Sequence, residues 1–191
     1  DWVNCPDFTY QITPLQELYG RTLGIIGFGQ IGQQVARAAL AFGMEVVYTC
    51  PHRKPELEEE YIRYLPLEEL LRVADVVSLH CPQKADTTGL LNAARIATMN
   101  RGAIVINTAR GGVVVAQDVA DALQSGQLGW YLADVMEQEP PRADEPLLTA
   151  PHCVLTPHVA WAPREARLRL MAIAYENLKG FLEGNAPHRV A

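Results

Sequence analysis

The stretch "TLGIIGFGQIG", residues 22–32, decides how the rest of the chain is read. A short apolar run stops at a glycine and passes directly into helical spacing of apolar residues. That pattern predicts a strand buried on both faces, a tight turn and the first turn of a helix. The glycines at 27, 29 and 32 fall at the offsets of a phosphate-binding turn. Gly27 permits the turn, Gly29 lets backbone approach a pyrophosphate, and Gly32 lets helix and strand pack closely. The backbone N–H groups of Gln30 and Ile31 then face the phosphates at the positive end of the helix. Packing alone would not require all three offsets, so a bound dinucleotide is expected.

Downstream, strand-like and helix-like segments alternate. Strands are predicted at residues 44–49, 75–81, 103–109, 129–135 and 152–158, and helices at 30–43, 65–74, 92–102, 116–126 and 163–184. Pro163 sits in the first turn of the last helix, where its missing N–H is tolerated. Strands alternating with helices make parallel βαβ units with right-handed crossovers. The expected fold is a doubly wound α/β parallel sheet of the dinucleotide-binding type over residues 21–182. Residues 1–20 carry Trp2, Phe8, Tyr10 and two prolines without a period, and read as an irregular arm that packs on something.

The 191 residues suffice for one domain, and 49% of them are apolar. A formal charge of −6 and a pI near 5.4 argue against nucleic acid as a partner. No apolar run reaches the roughly 18–20 residues of a membrane span. The four cysteines, at 5, 50, 81 and 153, form no C-x-x-C pair, so free thiols in a reducing cytosol are expected and no metal site.

A strand-end acid normally meets the adenosine ribose hydroxyls. Here the second strand runs into "CPHRK", residues 50–54. Cys50 stands where the acid is expected, and His52, Arg53 and Lys54 follow. An arginine forks onto a 2′-phosphate that a carboxylate would repel. The cofactor reading is therefore NAD or NADP, leaning to NADP, against the alternative of a solvated charged loop.

Three more strand ends carry candidate chemistry: "NTARGG" at 107–112, "DVMEQEP" at 134–140 and "TPHVAW" at 156–161. Each has a structural explanation on its own, as an ion pair, a loop acid or a capping histidine. Gathered on the carboxyl edge of one sheet they make an active site.

With "GFGQIG", these motifs resemble, in order, those of the D-isomer-specific 2-hydroxyacid dehydrogenases. "HVAWAPREARLRL" is similar to the glycerate dehydrogenase and hydroxypyruvate reductase branch. The resemblance begins near residue 15. It implies that Arg110 holds the carboxylate and carbonyl of a small 2-oxo acid, hydroxypyruvate or glyoxylate. It makes His158 the general acid–base, with Glu139 orienting the imidazole and stabilising its charged form. Asp134 would bond the nicotinamide carboxamide. Thr108 and Ala109 would line the nicotinamide pocket together with Arg110 and His158, and Cys81, Pro82 and Thr88 would border adenosine and pyrophosphate. Trp161 is either a packing aromatic or a screen beside the substrate.

The resemblance implies a second lobe built from a segment before the cofactor domain and from the extreme C-terminus, so residues 183–191 read as the return toward it, and the domain by itself is expected to turn over little. Val115 stands where relatives often carry an acid. A homodimer through the cofactor domain is implied. The competing expectation is a dinucleotide-sensing, corepressor-like interaction protein on the same fold.

Overall fold

The computed structural model describes residues 2–11 and 15–185. Most of the tail expected at 183–191 therefore lies outside the described residues. Seven strands form one parallel sheet. In chain order they are β1 (Thr22–Ile26), β2 (Glu45–Thr49), β3 (Ile62–Tyr64), β4 (Val76–Leu79), β5 (Ala103–Asn107), β6 (Leu128–Ala133) and β7 (Cys153–Leu155). The helices are α1 (Gln30–Ala41), α2 (Leu67–Val73), α3 (Ala93–Ile96), α4 (Ala116–Ser125) and α5 (Arg164–Leu182). No helix among the described residues is long and apolar enough to cross a membrane.

The strand order is β3-β2-β1-β4-β5-β6-β7. The chain winds outward from β1 in one direction and then, from β4, in the other. Between β1 and β4 the crossover direction reverses, which opens a crevice at the carboxyl edge of the sheet. The expected doubly wound fold is thus the observed one, with one strand more than the pattern predicted. Ile62–Tyr64 is a three-residue edge strand after a run of glutamates, too short to show a period. It forms because β2 offers a ladder, with Val46 opposite Ile62 and Tyr48 opposite Tyr64.

Alternation along β1 divides the core. Leu23 and Ile25 face α1, in a cluster with Ala36, Ala39, Val46 and Tyr48. Ile26 faces the other way, into the larger cluster with Leu70, Leu71, Val77, Leu79 and Val105 under α2, α3 and α4. On β5 and β6 the α1-side face is less well covered: Ile104 and Leu132 are partly buried, and Trp130 is exposed.

The phosphate-binding turn shows what each glycine does. Gly27 has φ +98°, and a Cβ there would lie 2.6 Å from the backbone nitrogen of Cys81. Its absence lets the end of β4 close against the β1 turn. A Cβ on Gly32 would lie 2.5 Å from the Gly27 carbonyl oxygen, whereas one on Gly29 would meet nothing within 4 Å. Gly29 caps α1 with no side-chain hydrogen bond, so the first N–H groups of the helix remain available to an anion.

These contacts separate folding from binding. Gly32→Ala should cost about 2–3 kcal/mol through overpacking, readable as a lower midpoint in urea. Gly29→Ala, at an ordinary φ of −83°, should change stability by less than about 0.5 kcal/mol. It should nevertheless weaken dinucleotide binding in calorimetry, because its methyl would occupy the space left for the pyrophosphate.

Candidate active site

Two cavities share the wall made by the end of β4. One, of about 520 Å³, is lined by Gly27, Gly29, Cys50, His52, Lys54 and Cys81, among others. The other, of about 790 Å³, is lined by Ile31, Pro82, Thr88, Thr108, Ala109 and Arg110, among others. His80, Cys81, Pro82 and Lys84 belong to both. A dinucleotide laid across the switch point would place its adenosine in the first and its nicotinamide toward the second. The open space at Gly29 and the uncapped start of α1 fit a pyrophosphate between them.

The sequence reading missed His80 and Lys84. Lys84 has no ion-pair partner among the described residues, and its turn is pinned by the Thr88 hydroxyl, which donates to the Lys84 carbonyl at 2.8 Å. Its ammonium is thus available to phosphate. His80 Nε2 lies 2.9 Å from Ser78 Oγ, and burial holds the imidazole below its ordinary pKa. A basic residue inside an otherwise apolar strand end was the available signal for His80. Lys84 lies in a loop and gave none.

The basic loop after β2 divides. His52 and Lys54 reach the first cavity, and the Cys50 thiol donates to the His52 carbonyl at 2.9 Å. Arg53 does not line that cavity. Its guanidinium is instead turned onto Glu58 at 2.7 and 2.8 Å, which removes it from the cavity wall.

The β5 end presents Arg110. Asn107 is fully buried and is the anchor the sequence reading overlooked. Its Nδ2 donates to the Arg110 carbonyl at 3.0 Å and to the Tyr131 hydroxyl oxygen at 3.2 Å, while its Oδ1 accepts from the Ala109 amide at 3.0 Å. The loop 107–110 is therefore rigid under an exposed guanidinium. Arg110 Nη1 donates to the Ala109 carbonyl at 2.6 Å, which leaves Nε and Nη2 for a ligand. Gly111 follows, and a Cβ on it would overlap the backbone of Met136 and Glu137. Only glycine lets the β5 loop touch the β6 loop, and that contact brings Arg110 toward Glu139.

Glu139 meets His158 directly, with Oε2 and Nδ1 2.6 Å apart. A carboxylate only accepts, so Nδ1–H is the donor. The opposite nitrogen, Nε2, has no hydrogen-bond partner among the described residues. Glu139 Oε1 accepts from the Met136 amide at 2.9 Å. The His158 hydrogen bond, then the Met136 amide, hold the Glu139 carboxyl below the usual range, so it stays ionised through neutrality. The two side chains are 41% and 37% exposed, open to a ligand from outside the domain.

His158 has φ +53°, a left-handed conformation that a histidine rarely adopts. Asp134, buried at the end of β6, holds the loop that imposes it. Its Oδ1 accepts from the Thr156 hydroxyl and, at 2.9 Å, from the Val159 amide; Oδ2 accepts from the Ala160 amide at 2.8 Å. Burial alone would raise the Asp134 pKa. The Thr156 hydroxyl and the two amides outweigh it and hold the group low. The resemblance implies a carboxamide contact for Asp134, but in the structure its carboxylate faces the loop that carries His158. Thr156 belongs to the same brace and was not singled out in the sequence. Trp161, beyond the brace, is 59% exposed.

A doubly wound sheet with a glycine-rich turn at its switch point, and a hydrogen-bonded glutamate–histidine pair beside an arginine at neighbouring strand ends, defines a cofactor-binding domain of the dehydrogenase type. The chain belongs to the D-isomer specific 2-hydroxyacid dehydrogenase family, whose NAD binding domain profile matches residues 2–160. It is 46% identical over 184 residues to a hydroxypyruvate reductase of Blautia hydrogenotrophica, covering 96% of this chain and 57% of that protein. It is 41% identical over 172 residues to a glyoxylate reductase of Aeropyrum pernix, covering 90% and 51%. The crystal structure of the TT0316 protein from Thermus thermophilus superposes with a TM-score of 0.88 at 44% identity, covering 98% of this chain and 59% of that one. The chain thus spans just over half the length of these relatives.

Asp134→Ala should leave the Val159 and Ala160 amides without their partner, destabilising the domain by about 2–3 kcal/mol. Because the Asp134 pKa is lowered on folding, the brace contributes fully above the ordinary carboxylate range and is lost as pH falls through the lowered value. Urea midpoints of wild type and variant should therefore converge in acid; a gap that persists there would refute the brace.

Proposed function

We propose that this domain serves an enzyme that reduces a small 2-oxo acid, hydroxypyruvate or glyoxylate, to the 2-hydroxy acid. The observation that carries this reading is the His158–Glu139 pair with Nε2 unpartnered, next to the loop that presents Arg110. A bound nicotinamide dinucleotide would supply the hydride. Arg110 supplies a planar cation with donors to spare, suited to the paired oxygens of a 2-oxo acid. His158 Nε2 delivers the proton that the carbonyl oxygen needs as it becomes a hydroxyl, and Glu139 balances the imidazolium. The substrate class follows the names of the relatives.

The corepressor-like alternative gains nothing from these relatives, which are named as reductases. The exposure of Glu139 and His158 leaves the pair wet, so the domain alone binds cofactor and turns over little.

The first cavity accepts NAD(H), and also NADP(H): no strand-end acid opposes a 2′-phosphate, and His52 and Lys54 stand on the wall. A reducing compartment such as the cytoplasm suits the four unpaired cysteines. A second copy of the chain covers part of the surface. On α5, Leu168, Met171 and Leu178 mark one exposed apolar face, and Leu170, Ile173 and Phe181 mark the opposite one. A helix apolar on two sides is buried on two sides, by the rest of the polypeptide and by a homodimer partner. Tyr10 of the N-terminal arm, 43% exposed, is a further apolar side chain for such an interface.

Calorimetric titration of the chain should show binding of both NADH and NADPH; binding of neither would overturn the cofactor reading. In the complete polypeptide, His158→Asn should keep NADH affinity within about twofold and lower 2-oxo acid reduction by about a thousandfold. Sedimentation at micromolar concentration should give a dimer, and a monomer alone would overturn the assembly.

A further inference from the structure

The loop after β2 has the composition of a solvated charged run, yet it is built around a buried hydroxyl. Tyr48 is fully buried and stacks on Phe28 of the phosphate-binding turn, with ring centroids 4.0 Å apart. The Tyr48 oxygen accepts from the Lys54 amide at 3.0 Å and lies 3.1 Å from the Lys54 carbonyl and 3.2 Å from Glu58 Oε1. The Lys54 ammonium donates to the Phe28 carbonyl at 2.9 Å. These bonds fix the loop so that His52 and Lys54 face the adenosine-side cavity.

Arg53 lies between them in sequence and is held elsewhere. Two of its donors, Nε and Nη2, close on the two oxygens of Glu58. The Glu58 side chain is only 19% exposed, against 58% for Arg53. The less exposed partner is anchored by Tyr48, so the arginine is the one drawn in. Neither residue lines the cavity. A guanidinium engaged in this way presents little net charge, and a 2′-phosphate near it would also meet the carboxylate.

We propose that Glu58 is a specificity-determining residue: by withholding Arg53 it limits the preference for a 2′-phosphorylated dinucleotide. The proposal rests on the dinucleotide reading above. It goes beyond that reading by assigning the discrimination to a carboxylate outside the cavity rather than to the basic residues on its wall.

Adenosine 2′,5′-bisphosphate and 5′-AMP differ only in the 2′-phosphate and report on the adenosine side alone. By calorimetry, Glu58→Gln should tighten the bisphosphate about tenfold relative to AMP, as a released arginine fork would. AMP affinity should stay within about twofold, since the carboxylate touches no cavity wall. Adding Arg53→Met to that variant should abolish the gain. Arg53→Met alone should leave the bisphosphate-to-AMP ratio unchanged, because the parent protein does not use that side chain. A drop in that ratio, equal changes for both ligands in Glu58→Gln, or a gain that survives loss of Arg53 would each overturn the proposal. If the parent chain binds neither ligand nor NADH, the dinucleotide reading itself fails, and the proposal with it.

Discussion

The Asp134 carboxylate holds the site together. It lies buried at the end of β6 and takes up the Thr156 hydroxyl and the Val159 and Ala160 amides. Those acceptors help offset the left-handed backbone at His158, a conformation that costs a non-glycine residue of order 1 kcal/mol or more. The loop thus stores a small strain and is held by charge-assisted bonds that exceed it. Glu139 fixes the imidazole only because Asp134 has first fixed the backbone beneath it. The placement of the His158–Glu139 pair therefore depends on a carboxylate that holds a loop.

The fold was legible because its signals are local. An apolar run that breaks at Gly27 and resumes at helical spacing needs no tertiary information to interpret, and the same holds for α4 ending at Gly126 in the left-handed region. Legibility fails where an element borrows its stability. β3 is three residues long and exists as an added rung on β2. The third helix was expected over 92–102 but covers only Ala93–Ile96, capped by the Asn92 side chain accepting from the Arg95 amide. Beyond Ile96 the chain runs through turns to Gly102, which has a positive φ.

The site shows the same division. Arg110, Glu139 and His158 were readable because each sits in a short motif at a predicted strand end. Their supports were not: Asn107, Gly111 and Thr156 acquire their roles from partners distant in sequence or from backbone contact. Arg53 illustrates the converse. Its residue type suggested phosphate, but type does not reveal that Glu58 lies within reach. The opposed outcomes at Arg53 and Lys54, adjacent in the chain, come from the Tyr48 hydroxyl, which fixes the Lys54 backbone and holds Glu58 where it captures the Arg53 guanidinium.

The contact at Gly111 has one more consequence. The spacing between Arg110 and Glu139, the partner of His158, is set by two main-chain segments touching, Gly111 against Met136 and Glu137. Side chains around that contact can change without moving it. Replacing residues that surround the cleft can then alter what it accepts while the separation of Arg110 and Glu139 is kept. Change at the walls leaves that frame intact, and the position least able to accept a side chain, Gly111, carries none.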